Sequence, residues 1–141
     1  MSDNNVRLDW NGPACQREIQ ALIKRGLYSA GLLVQRRAKE LLSVSGTGGG
    51  KGKKRKRKYG SEPSAPGEPP RKQRGTLRAS VSVDADDKEC RVGTNLKYGL
   101  YLELGTRKLK ARPWLRRALA ETESKIKPIF EQLINALKAK P

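Results

Sequence analysis

Seven cations fall within eight residues in Lys51-Gly-Lys-Lys-Arg-Lys-Arg-Lys58, and a run of that density neutralises several phosphates at once with release of their counterions. The chemistry offered by Lys51, Lys53, Lys54, Arg55, Lys56, Arg57 and Lys58 is non-specific contact with DNA, because charge alone reads no base sequence. Tyr59 is the one aromatic beside the run, whereas a dedicated single-strand binder interleaves several stacking platforms with its charge. A solvated loop without a binding role and a nuclear-import signal are competing readings of the same residues.

Catalytic chemistry has less to work with. The chain contains no histidine, which removes the commonest general base and the commonest metal ligand together. Catalysis would have to rest on carboxylates. Their densest group, Asp84, Asp86, Asp87 and Glu89, reads as the solvated tip of a turn, since a hard cation needs convergent oxygens and not merely neighbouring ones. The stretch Ser45-Gly-Thr-Gly-Gly-Gly-Lys-Gly52 has the glycines and lysine of a phosphate-binding loop, but Ser45 stands in place of its first glycine and Gly52 in place of its Ser or Thr. No hydrophobic strand precedes it, so it reads as a linker. Cys15 and Cys90 lack both a disulfide framework and zinc spacing, and are expected to be buried or inert thiols in a reducing cytoplasm. Trp114 and Tyr101 read as core or subunit interface in preference to a ligand pocket. No catalytic residue, metal ligand or cofactor is expected.

The elements that must carry these residues follow from hydrophobic spacing. Val6, Leu8 and Trp10 alternate as in a short edge strand. From Pro13 to about Leu42, apolar residues recur at three- and four-residue steps, the pattern of an amphipathic helix, with Asn11 or Gly12 as its cap and Pro13 in its first turn. Gly26 and Gly31 weaken that helix by about 1 kcal/mol each relative to Ala, so another element is expected to approach closely there. Residues 43–74 pass through a glycine cluster, the basic run and a proline-rich stretch without any apolar period. They read as a long, largely disordered basic loop.

Strand signals come next. Leu77, Ala79, Val81 and Val83 alternate with polar residues, and a polar turn leads to Cys90 and Val92, which predicts a hairpin. Tyr98, Leu100, Leu102 and Leu104 share one side of an expected third strand, with Tyr101 and Glu103 on the other. Gly105 ends it. Pro113 opens a final helix whose spacing runs from Trp114 to Leu137, with Pro128 expected to kink or divide it. The expected fold is α+β: a small antiparallel sheet of three to four strands packed against a long N-terminal helix and a C-terminal helix. The 43–74 loop is inserted within a single domain, residues 1–141.

Size and charge bound the partners. A chain of 141 residues with 35% hydrophobic content has room for one modest core. Its formal net charge of +17, from 31 Lys and Arg against 14 Asp and Glu, favours an anionic partner such as nucleic acid. Residues 51–74 hold ten of the cations and two of the acids, so nearly half of the excess sits in the loop. No apolar run approaches the roughly 20 residues of a membrane helix, and the opening Ser-Asp-Asn-Asn lacks the pattern of a signal peptide. A soluble protein with no membrane partner is expected.

Three spaced motifs add a resemblance. Ser64-Ala-Pro-Gly-Glu-Pro-Pro70, Gly75-Thr-Leu-Arg-Ala-Ser80 and Tyr98-Gly-Leu-Tyr-Leu-Glu-Leu-Gly-Thr106, followed by Arg112-Pro-Trp-Leu115, resemble in order and spacing the neck or tail-completion (head-tail connector) proteins of tailed bacteriophages. By that resemblance Pro66, Gly67, Pro69 and Pro70 lead from the loop into the first hairpin, and Gly75, Leu77 and Ser80 begin its strand. Tyr98, Glu103, Gly105 and Thr106 form the third strand and its exit, and Pro113, Trp114 and Leu115 start the last helix. The prolines stiffen the chain, Gly105 permits a turn, and Glu103 is placed to pair with Arg107, Arg112 or a neighbouring subunit.

The resemblance implies a structural virion component and not an enzyme: a homo-oligomeric ring in the neck, made in the host bacterial cytoplasm. Such a ring contacts a head-closure or portal-side connector protein on one side and a tail terminator or tail tube protein on the other. Packaged viral DNA passes through its centre. The basic insert before Pro66 is longer and more charged than the motif leads one to expect, and suits holding or sensing the DNA end. The alternative is a small basic nucleic-acid-binding protein acting through its Lys/Arg-rich loop.

Overall fold

A computed structural model of the chain describes residues 11–44, 64–71 and 74–139. In chain order these residues form α1 (Gly12–Leu41), α2 (Thr76–Ser80), β1 (Ser82–Ala85), β2 (Cys90–Gly93), α3 (Lys97–Leu104) and α4 (Leu115–Lys138). The architecture is α+β, with long first and last helices and a small antiparallel sheet. The edge strand expected at Val6–Trp10 lies outside the described residues.

α1 starts where its sequence has the means to start it. Asn11 occupies the cap position, its carbonyl accepts the Cys15 N–H at 3.1 Å, and Pro13 sits in the first turn, where a missing amide leaves no bond unmade. The two interior glycines mark close approaches. A Cβ on Gly26 would lie 2.6 Å from a ring carbon of Phe130 in α4, and one on Gly31 would collide with Cys90 Sγ and come within 2.7 Å of Val83 in the hairpin. The small residues let α4 and the sheet reach the helix backbone. The helix cost of glycine is the cost of that packing.

α4 runs antiparallel to α1. Arg37 meets Glu121 near one end of the pair and Gly26 meets Phe130 and Leu133 further along. Carried on in the same register, Ile19 reaches only the last turn of α4. That is why Ile19 and Ile23, expected on the core face, are 41% and 39% exposed. Pro128 does not divide α4, which is continuous through it. The carbonyl it leaves without an intrahelical partner belongs to Ser124, an exposed residue where water can serve it.

The sheet has two strands among the described residues, paired Ser82↔Gly93, Val83↔Val92, Asp84↔Arg91 and Ala85↔Cys90. The hairpin expected from Val83, Cys90 and Val92 is present, but two flanking segments expected to be strand are helical. Thr76–Ser80 forms α2, so Gly75, Leu77 and Ser80 begin a helical turn and not the strand. Lys97–Leu104 forms α3, not a third strand. Composition permits the helix and tertiary contacts select it. Between Tyr98 and Leu104 there is no β-branched residue, and Leu and Glu favour helix once tertiary contacts ask for it. In the helix Gly99, Leu102 and Glu103 face inward, while Tyr98, Leu100, Tyr101 and Leu104 are exposed.

The core gathers the C-terminal half of α1 (Val34, Ala38, Leu41, Leu42), Leu77 of α2, Val81, Trp114 and Ala118. Trp114 is 1% exposed and is the largest fully buried side chain. Leu102 and Leu115, each from a motif, pack against this cluster.

Candidate functional site

The start of α4 is built by a residue of α3. Glu103 Oε2 accepts the backbone N–H groups of Trp114 at 2.7 Å and Leu115 at 2.9 Å, and Oε1 accepts that of Arg116 at 3.0 Å. Three amides with no helical partner are thus satisfied by one carboxylate, whose charge also suits the positive end of the helix dipole. Glu103 pairs with Arg116 at 3.5 Å, not with the expected Arg107 or Arg112, because the helical form of α3 turns its side chain toward α4. Trp114 completes the joint. Its Nε1 donates to the Gly99 carbonyl at 3.3 Å, and a Cβ on Gly99 would meet Thr94 at 2.6 Å and Leu77 at 2.9 Å.

The remaining motif residues tie neighbouring segments to this joint. Gly105 stops α3 at φ 77°, and a Cβ there would lie 2.8 Å from the Ala111 nitrogen and the Leu109 oxygen, so both the dihedral and the space exclude a side chain. Thr106 and Leu109 exchange backbone hydrogen bonds at 2.7 and 3.2 Å. Arg112 N–H then donates to the Leu102 carbonyl at 2.7 Å and leads through Pro113 into Trp114. Ala65-Pro66-Gly67-Glu68 is a turn with Pro66 at its second position, Gly67 at φ 84° and Glu68 N–H donating to the Ala65 carbonyl at 3.1 Å, the type II pattern. Gly67 N–H reaches across to the Ala111 carbonyl at 3.0 Å. Pro69 is half-buried and Pro70 buried. Gly75 stands before α2 at φ 81°, and the Ser80 hydroxyl donates to the Leu77 carbonyl at 2.8 Å and meets Thr94 Oγ1 at 2.5 Å.

These joints surround a cavity of about 530 Å³. Leu42, Leu77, Leu102 and Pro70 supply apolar wall, Tyr98 and Tyr101 stand at its edge, and Arg71, Arg74, Arg78 and Arg112 bring four guanidinium groups with no acidic side chain among the lining residues. Two polar atoms of lining residues, Ser64 Oγ and Arg112 Nε, are buried without a hydrogen-bond partner among the described residues. Such a lining suits an anionic group with apolar flanks. Of the two expected places for Tyr101, core or subunit interface, its 49% exposure excludes the core. The cavity was not legible in the spacing of residues. Its one signal is that Arg71, Arg74, Arg78 and Arg112 all lie in or beside the motifs, outside the denser basic run.

The other candidates separate clearly. Lys51, Lys53, Lys54, Arg55, Lys56, Arg57 and Lys58 lie outside the described residues, as does the glycine-rich 45–52 stretch. The acidic group forms the hairpin tip, where Asp86 Oδ1 accepts the N–H groups of Lys88 and Glu89, both at 2.8 Å. Those bonds, Glu89's first, hold the Asp86 carboxyl below its ordinary range. Among the described residues no group of three His, Cys, Asp or Glu side chains could hold a metal ion. Cys90 is half-buried in β2, and desolvation together with Asp84 pushes its thiol up. Of the two expected alternatives for Cys15, burial or an inert thiol, burial does not hold: it is exposed in the first turn of α1.

No family model, curated protein or solved structure matches the chain. Among the described residues no helix is long and apolar enough to cross a membrane.

Proposed function

We propose that this chain is a structural subunit of a tailed-phage neck, assembling as a homo-oligomeric ring that joins the DNA-filled head to the tail. The observation that carries this reading is the joint at Glu103 and Trp114. The residues on which the resemblance rests act together as a scaffold: Glu103 caps α4, Trp114 locks α4 to α3, Gly105 and Thr106 shape the connection, and the Pro66-Gly67 turn is stitched to Ala111. Each has a role in holding shape. A scaffold of this kind suits a protein whose task is to present surfaces to its neighbours. Tyr98, Leu100 and Leu104 on the outer side of α3 offer apolar area for such contacts.

In this reading the neighbours are a head-closure or portal-side connector protein and a tail terminator or tail tube protein. Lys51 to Lys58 add non-specific contact with the packaged DNA. Cryo-electron microscopy of the virion or purified neck complex tests it: an axial ring of this chain between portal and tail is expected. Intact particles without the chain would overturn the reading. Deletion of residues 46–60 distinguishes the nucleic-acid-binding alternative, because a neck subunit keeps its fold and its ring while a loop-dependent binder loses its main activity.

A further inference from the structure

Opposite charges gather at the two ends of the body built around the C-terminal half of α1. At one end is the hairpin tip, where Asp84, Asp86, Asp87 and Glu89 are all exposed. Asp86 is engaged by the turn and Glu89 by Arg91. Asp84 and Asp87 have no hydrogen-bond or ion-pair partner for their carboxylates among the described residues. At the other end is the arginine-lined cavity. There Arg71, Arg78 and Arg112 have no carboxylate partner among the described residues. Among the described residues, the hydroxyl of Ser64, itself 4% exposed, has no hydrogen-bond partner and Arg112 Nε has no acceptor. One end has acceptors to spare and the other lacks them.

The fold keeps these ends apart within one chain. Gln35 donates to the Val81 carbonyl just before β1, while Cys90 and Val83 touch α1 at Gly31. The hairpin therefore points its tip toward the N-terminal end of α1, away from Leu42, which lines the cavity. From Gly31 to Leu42 the helix rises about 16 Å. The tip of one copy has no path to its own cavity, and the two surfaces are unlike. A contact between them is heterologous, and heterologous contacts repeat head to tail, closing into a ring when the rotation permits.

We propose that Asp84 and Asp87 at the hairpin tip of one copy dock against Arg71, Arg78 and Arg112 at the cavity of the next, forming the subunit contact of the assembly. The occupant is a second copy of this chain because its own surface supplies the complementary charge, and a carboxylate between guanidinium groups makes short, directional, charge-assisted hydrogen bonds. That the contact closes into a ring rests on the neck reading above; that it exists does not.

Sedimentation velocity of the full chain, over a wide concentration range at low and high salt, tests this. The wild-type chain is expected to self-associate, less so at high salt. The double variants Asp84→Lys/Asp87→Lys and Arg71→Glu/Arg78→Glu are each expected to weaken association by about a hundredfold. Mixed in equal amounts they are expected to associate again, since both contacts in the alternating assembly then pair opposite charges. Asp84→Asn/Asp87→Asn removes the charge without reversing it and is expected to weaken association too, with helical circular dichroism unchanged. A wild-type chain that stays monomeric, charge-reversed variants that associate like wild type, or a mixture that does not recover would overturn the proposal. Loss of duplex-DNA binding by Arg71→Glu/Arg78→Glu with self-association intact would also overturn it, making the cavity a phosphate site. A chain absent from the neck that still associates through this contact sinks the proposed function alone; a neck ring joined elsewhere sinks this contact alone.

Discussion

Glu103 accepts the backbone N–H of Trp114 at 2.7 Å while the Trp114 indole donates to Gly99, one turn before Glu103 in the same short helix. The two residues clamp α3 and α4 in both directions. Each bond removes a polar group that the core would otherwise strand.

Glu103→Ala leaves three amides at the start of α4 without acceptors. Helix caps of this kind contribute about 0.5–2 kcal/mol, and the 12% exposure of the Glu103 side chain puts the loss toward the upper end. Glu103→Gln, which keeps an acceptor oxygen, is expected to lose less. Urea unfolding monitored by circular dichroism orders the three proteins; equal midpoints would show that the cap contributes nothing.

Trp114→Ala empties the largest buried site and is expected to cost about 3–5 kcal/mol. Trp114→Phe keeps much of the apolar volume but removes the bond to the Gly99 carbonyl, for an expected loss of about 1–2 kcal/mol. The same unfolding measurement separates them, and a Phe variant as unstable as the Ala variant would contradict the bond's modest share.

Gly105→Ala and Gly93→Ala form a matched pair. At Gly105 a methyl group meets backbone at 2.8 Å and a left-handed φ, whereas no atom of the described residues lies within 4 Å of a Cβ at Gly93. The first is expected to lose several degrees of melting temperature, and the second to stay close to wild type. Equal melting temperatures would argue that the turn after α3 relaxes easily.

Acid should loosen the pairing of α1 with α4. Hydrogen bonds from Arg117, first, and Arg37 hold the Glu121 carboxyl below its ordinary 4.5, so near that pH the unfolded chain binds more protons than the folded one. Stability from this group is present above that value and is lost as pH falls through the depressed folded one. Melting curves from pH 6 downward are expected to show a decline that is smaller in Glu121→Gln. The group is solvent-accessible, so salt should shrink the effect. A variant whose pH profile overlays wild type would show that other carboxylates carry the acid response.

Much of the framework was legible in local spacing. The bounds of α1, the hairpin around Val83 and Val92, the final helix after Pro113 and the close approaches at Gly26 and Gly31 all follow from periodicity, capping and side-chain size, which act over a few residues. The candidate site was legible only as a set of motif positions. Arg71, Arg74, Arg78 and Arg112 stand apart in the chain, and nothing in their spacing shows that they border one cavity.

What the chain alone determined is its charge, its lack of histidine and the helical or alternating character of its strongly patterned segments, because these depend on residue types and near neighbours. Tertiary structure decided the rest. The leucines from Leu100 to Leu104 satisfy a strand and a helix equally well, and the choice falls to the contacts that Glu103 and Gly99 make with the start of α4, residues 11 to 15 positions away. Pairings at that distance leave no period in the sequence, since they exist only once packing has brought the segments together.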